Sequence, residues 1–172
     1  THVGSRNVGV PLLVHRRCSE PMFSVSNRIA YSGLMVSAKL PKPSAIREIL
    51  GPSAWIHVEG SGQDKWCREE GDEVIRMLHR LRAASAKPDL YVITPFVIVA
   101  DRLRQTIRES GVLGGCVSED EWRWVHARIG TVHTAQGREA EAVIFVLGAP
   151  HPTQTGARGW AGGRPNLLNV AV

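Results

Sequence analysis

The sequence predicts an α/β fold built on a mainly parallel sheet with helices on both faces. Short apolar strings of strand length alternate along the chain with longer stripes of helical period. Strands separated by helices pair in parallel through crossovers, and such sheets are covered on both sides. The length of 172 residues suits one domain with a sizeable core, and 43% hydrophobic with 22% charged residues is an ordinary globular balance.

Pro11 to His15 is a short apolar run read as a buried strand. A helix is expected from Pro21, with Phe23, Ile29 and Ala30 among its apolar residues and Tyr31 near its end. Residues 37–53, with Pro41, Pro43 and Pro52, read as a loop holding one short helix at Ala45 to Leu50. Trp55 to Val58 reads as another strand, and Gly60 to Asp64 as a turn or loop. Val74, Ile75, Leu78 and Leu81 form a helical stripe that Arg76, Arg80 and Arg82 avoid, and Pro88 stops it. Leu90 to Ile93 is a compact apolar strand, and Phe96, Val99, Leu103 and Ile107 mark a second amphipathic helix. Ile129 to Val132 and Ala142 to Leu147 read as two further buried strands. Gly148 to Gly163 reads as a long glycine-rich loop, with Pro165 opening a final helix.

Composition narrows the function classes. No apolar run approaches the length of a membrane span, so no membrane partner is expected, and an intracellular, cytoplasmic setting is. The net charge of +5 and pI near 9.6 favour a polyanionic partner. Cys18, Cys67 and Cys116 are odd in number and lack any C-x-x-C pair, so they suggest neither a disulfide framework nor a zinc site, and no metal ligands are assigned. The seven histidines show no H-E-x-x-H spacing, and no G-x-S-x-G elbow occurs, which speaks against a hydrolase built on them. Carboxylates are too dispersed for a nuclease centre.

The chemically richest segment runs from Gly130 to Phe145, GTVHTAQGREAEAVIF. A strand enters a polar turn and a second apolar strand follows almost at once, and the strand ends of a parallel sheet are where ligands sit. The Gln136-Gly137 pair lets backbone approach a phosphate closely, because glycine has no side chain to obstruct it. Thr131, His133 and Thr134 are donors suited to a phosphodiester, and Glu139 is an acceptor suited to a ribose hydroxyl. The plainer reading is a well-capped loop.

This segment resembles motif V of superfamily-1 helicases, in the branch that includes the nonsense-mediated-decay RNA helicase; Ala135 stands where that branch often has an aromatic. Three more segments resemble the same family in the order it requires. Leu13 to Pro21 is similar to the piece that opens its second lobe, with His15 in place of the usual Tyr and Arg16 as the γ-phosphate-sensing guanidinium. Tyr91 to Phe96 is similar to motif IV, with Thr94 directed at a nucleic-acid phosphate, although Thr-Pro is also a plain helix start. Arg164 to Val172 is similar to the first part of motif VI, which the family continues with Ser or Thr and an arginine finger.

The resemblance implies a RecA-like three-layer domain over residues 1–172, the C-terminal motor lobe of a larger protein cut before that finger. It implies that His15, Gln136, Gly137 and Glu139 face ATP and that Arg16 serves the chemical step. Thr94, Thr131, His133 and Thr134 then face single-stranded DNA or RNA, and the N-terminal RecA-like lobe of the same polypeptide is the partner. No G-x-x-x-x-G-K-[ST] occurs, and Glu119-Asp120-Glu121 reads as a solvated acidic loop. The Mg2+ ligands and the main ATP anchor are therefore expected on that other lobe, and this chain alone is expected to be inactive as an ATPase. A non-enzymatic basic module using Trp55, Trp66, Trp122, Trp124 and Trp160, and a degenerate lobe used for nucleic-acid or protein binding, are the alternatives.

Overall fold

A computed structural model describes residues 2–3, 6–7, 12–40, 42–163 and 167. They fall into two compact units, within residues 1–42 and 43–171, and each is described by itself.

In the first unit, β1 (His2–Val3) and β2 (Arg6–Asn7) pair antiparallel. The apolar run after Pro11 yields only a two-residue strand, β3 (Val14–His15), and not the buried one expected, since Leu12, Leu13 and Val14 are exposed; α1 (Met22–Ala30) and β4 (Val36–Ser37) follow. β4 returns parallel to β3 with Val14 opposite Val36 and His15 opposite Ser37. The amide of Asn27 fixes that return: its Nδ2 donates to the Met35 carbonyl at 3.0 Å, and its Oδ1 accepts from the Met35 N–H at 2.9 Å. Phe23 is the buried apolar anchor of α1.

The second unit is a mixed α/β arrangement around a parallel sheet. After α2 (Ala45–Leu50) come the antiparallel strands β5 (Gly62–Gln63) and β6 (Trp66–Cys67), whose connecting Asp64 and Lys65 both take positive φ. Then follow α3 (Arg68–Ala83), β7 (Leu90–Thr94), α4 (Val97–Ser110), α5 (Glu121–Arg128), β8 (Ile129–Thr131), the single turn α6 (Val132–Ala135), β9 (Ala142–Phe145), a 3-10 turn at Pro152–Gln154 and α7 (Thr155–Gly162). The sheet order is β8-β7-β9, parallel throughout.

The period-2 alternation of β7 divides the core. Leu90 and Val92 join a large cluster with Leu78 and Leu81 of α3, Val99, Leu103 and Ile107 of α4, and Trp124 and Val125 of α5. Tyr91 and Ile93 point to the other face, where a smaller cluster gathers Val132, Ala135, Phe145 and Leu167. Among the described residues of this unit, most of the buried apolar side chains thus gather on one face of the sheet.

Several expectations are corrected. Residues 55–58 form no strand: Trp55 is 75% and Ile56 50% exposed, and an apolar string without a neighbouring strand has nothing to pair with. The acidic stretch is no simple loop, because the Asp120 side chain accepts from the Arg123 N–H and caps α5. Residues 148–163 hold a helix, since Ala157 and Ala161, four apart, pack against the main core. Strand β8 stops at Thr131, with α6 starting at Val132, and β9 stops at Phe145 and is part-buried instead of buried, with Val143 exposed. The helix expected at Pro165 lies outside the described residues.

Glu141 ties the sheet to α2. Its Oε1 accepts from Ser44 Oγ at 2.5 Å and from the Ile46 N–H at 3.0 Å, serving the orphan donors of that helix start. Glu141→Ala is expected to lower unfolding free energy by about 1 kcal/mol, with Glu141→Gln losing less, in urea titrations. Leu103→Ala, at a fully buried position between α4 and the sheet, is expected to lower it by about 2–5 kcal/mol.

Candidate nucleic-acid interface

Parallel pairing places the carboxyl ends of β7 and β8 side by side. Thr94 and Thr131, 37 positions apart by their numbers, are register partners at that edge. Their surroundings differ. Thr94 is fully buried and its Oγ1 accepts from the Phe96 N–H at 3.4 Å, so this hydroxyl supports the start of α4 from inside. Thr131 is half-buried, and α6 carries His133 and Thr134 outward beyond it.

The α6 turn is held in place by a close approach. Thr134 Oγ1 donates to the Thr131 carbonyl at 2.7 Å. A side chain at Gly130 would put its Cβ 2.2 Å from that oxygen, so the strand must be bare there for the hydroxyl to sit where it does. Arg104 of α4 closes the same corner, donating through Nε to the Ile129 carbonyl at 3.0 Å and pairing with Asp101 at 2.7 Å. His133 is exposed, and among the described residues no hydrogen bond engages its ring.

Beyond α6 the chain turns through Gln136, Gly137, Arg138 and Glu139, all exposed. Gly137 takes φ 79°, in the left-handed region, and no heavy atom lies within 4 Å of where a Cβ would stand. This bare backbone and the Glu139 carboxylate can form one wall of a nucleotide site. The guanidinium of the turn, Arg138, is exposed and donates through Nη1 to the Ala127 carbonyl at 3.1 Å.

His15 and Arg16 belong to the first unit. The His15 ring lies 5.4 Å from that of Phe23, and its Nε2 accepts from the Cys18 N–H at 3.2 Å and lies 3.1 Å from Cys18 Sγ. Burial, followed by Arg17 and Lys39, lowers its pKa and favours the neutral imidazole that accepting requires. Arg16 is exposed and has no ion-pair partner among the described residues.

Other groups, which the sequence reading did not single out as a site, lie about the carboxyl ends of β7 and β9. Lys65 Nζ stands 5.6 Å from the Phe96 ring centroid, and the Trp160 ring lies 6.1 Å from the same ring. Glu70 of α3 accepts from the Gly148 N–H at 3.1 Å, where the chain leaves β9. These residues are far apart in sequence and share no motif.

Among the described residues no cluster of three or more His, Cys, Asp or Glu is arranged for a metal, and no helix is long and apolar enough to cross a membrane. The buried Cys67 thiol is pushed up to about 11, chiefly by desolvation, which makes it a poor nucleophile at neutral pH.

Two predictions follow from this geometry. Gly130→Ala is expected to unseat the Thr134 hydroxyl and cost about 1 kcal/mol, and that cost should shrink in a Thr134→Ala background, as read by a double-mutant cycle in urea. Burial also raises the Glu70 pKa against the smaller opposing pull of the Gly148 N–H. The folded protein then holds more protons there than the unfolded chain, so stability falls as pH rises from the ordinary Glu value of about 4.3 through the folded one. Glu70→Gln keeps an acceptor and removes that slope. Thermal melts should show the variant above the wild type at neutral pH and the two converging in acid.

Against protein-family models, characterised proteins and solved structures, the chain finds no match.

Proposed function

We propose that this chain is the second motor lobe of an ATP-dependent superfamily-1 helicase or translocase, with a RecA-like fold, that grips single-stranded nucleic acid at the carboxyl edge of its sheet. One observation carries the reading. Two segments that separately resemble motifs IV and V end on adjacent parallel strands, with Thr94 and Thr131 in register. Beyond the carboxyl ends of the strands is where an open α/β sheet receives ligands.

In this reading His133 and Thr131 meet the phosphodiester, Thr134 holds the α6 turn in place through the Thr131 carbonyl instead of touching the strand, and buried Thr94 positions the first turn of α4. Gly137 and Glu139 offer one wall to ATP, and Arg16 supplies a guanidinium for the transferring phosphoryl group. When bound, ATP with Mg2+ supplies the energy of the stroke. The phosphate-anchoring Lys and the Mg2+ ligands belong to a partner lobe, because these 172 residues contain no Gly-Lys pair. The same absence favours a second reading, a helicase-like module that binds nucleic acid without turnover.

A labelled single strand titrated with the chain tests the grip. His133→Ala and Thr131→Ala should each weaken binding about tenfold, the worth of one hydrogen bond to a charged acceptor, and the salt dependence should be shallow because these donors are neutral. Unchanged affinity in both variants would sink the assignment. In a polypeptide that also carries the anchoring lobe, Arg16→Ala and Glu139→Ala should each lower ATP turnover. The non-catalytic reading instead expects strand binding with no turnover to lose.

A further inference from the structure

We infer that Trp160, which lies against Phe96, with Lys65 at that same Phe96 ring, is a base-stacking platform for the single strand; this rests on the nucleic-acid reading above. Three distant segments build it. The end of β7 delivers Phe96, two residues past Thr94, as the N-cap of α4. The turn between β5 and β6 delivers Lys65, with its ammonium 5.6 Å from the Phe96 ring. Helix α7 delivers Trp160, 6.1 Å from that ring and tilted by 34°.

Each segment is fixed by contacts of its own. The Lys65 carbonyl accepts from the Ala149 N–H at 2.8 Å, and a Cβ at Gly148 would stand 2.8 Å from the same oxygen. Gly148 takes φ 65°, so a bare left-handed residue is what lets the turn press onto the exit of β9. Helix α7 is held by Ala157 and Ala161 on the core, and by Arg158, whose Nη1 donates to the carbonyls of Ala149 and His151 at 2.9 and 2.8 Å.

Phe96 is buried, yet Trp160 remains 58% exposed. The indole therefore lies against a buried ring, keeps much of its surface in water, and shares that ring with the Lys65 ammonium. A flat ring with a negative charge next to it complements that pair, and a nucleobase with its phosphate in a single strand has both. Stacking tolerates any base, which suits a strand gripped without regard to sequence.

The test compares a base-bearing single strand with an abasic strand of equal length, which has the same phosphates and no rings. The wild-type chain should prefer the base-bearing strand. Trp160→Ala and Trp160→Leu, the second keeping apolar cover on Phe96, should lose about tenfold on that strand and little on the abasic one, while Trp160→Phe keeps most of the preference. Lys65→Ala should weaken both strands alike and reduce the salt slope by about 0.7. An unchanged preference in Trp160→Ala and Trp160→Leu overturns the platform and leaves the strand-binding reading standing. If free mononucleotide displaces the strand through Trp160, the platform serves a nucleotide and the proposal falls. If the wild type binds neither strand, the strand-binding reading falls and takes the platform with it.

Discussion

Strand β7 is the constraint on which the second unit depends. It is the central strand, pairing in parallel with β8 over Val92–Thr94 and with β9 over Leu90–Ile93, while its side chains enter two clusters. A strand paired on both sides cannot shift by one residue without exchanging Leu90 and Val92 with Tyr91 and Ile93 between faces. The register is therefore fixed, and with it the position of Thr94 beside Thr131. Parallel pairing also sends all three strands out at the same edge. Three unrelated connections start there: Pro95-Phe96 into α4, Val132 to Ala135 as α6, and Val146 to Pro150 towards α7.

Crowding at this edge is resolved by omitting side chains at two points. Gly130 makes room for the hydroxyl that closes α6, and Gly148 makes room for the Lys65 carbonyl. The two absences act differently. At Gly130 a side chain meets the Oγ1 of a Thr, which can rotate away at the loss of its hydrogen bond. At Gly148 it meets a backbone carbonyl and Val99 Cγ2, and the left-handed φ adds strain, so nothing nearby can yield cheaply. The α6 corner is thus adjustable, whereas the exit of β9 is rigid. Glu70 is part of that rigidity: its carboxylate is buried for the sake of one N–H, and burial works against its charge.

Legibility in the sequence followed the strength of the period. Helix α3, strand β7 and helix α4 are readable because their apolar residues follow a clear period and most of them are buried. Trp55 to Val58 has strand-like composition over four residues, too few to distinguish pairing from exposure. Strand β4 is two residues long and exists because Asn27 holds Met35, a tertiary contact without local signal. Helix α7 was concealed by its glycines, since propensity argues against it and only the packing of Ala157 and Ala161 argues for it. At the candidate site, the Gln136-Gly137 turn could be found from the residues alone. The burial of Thr94 could not, nor could the meeting of Lys65, Phe96 and Trp160, because these are consequences of topology.

Charge separates the two faces of the functional reading. The residues assigned to the strand are neutral donors on a rigid edge, with Lys65 as a nearby cation, and a phosphodiester with one charge per residue can be held by such a set. A triphosphate is more demanding. The turn assigned to it offers a bare Gly137 backbone and a Glu139 carboxylate, and its one guanidinium donates to the Ala127 carbonyl. An acidic side chain beside a polyphosphate raises the need for cations. On the proposed reading that compensation would come from cations outside the turn. On the proposed reading, strand binding would draw on these residues alone, whereas nucleotide binding would depend on what is brought to them. In a motor that division is useful, because a grip that exists without ATP can be modulated by a nucleotide that only the assembled cleft retains.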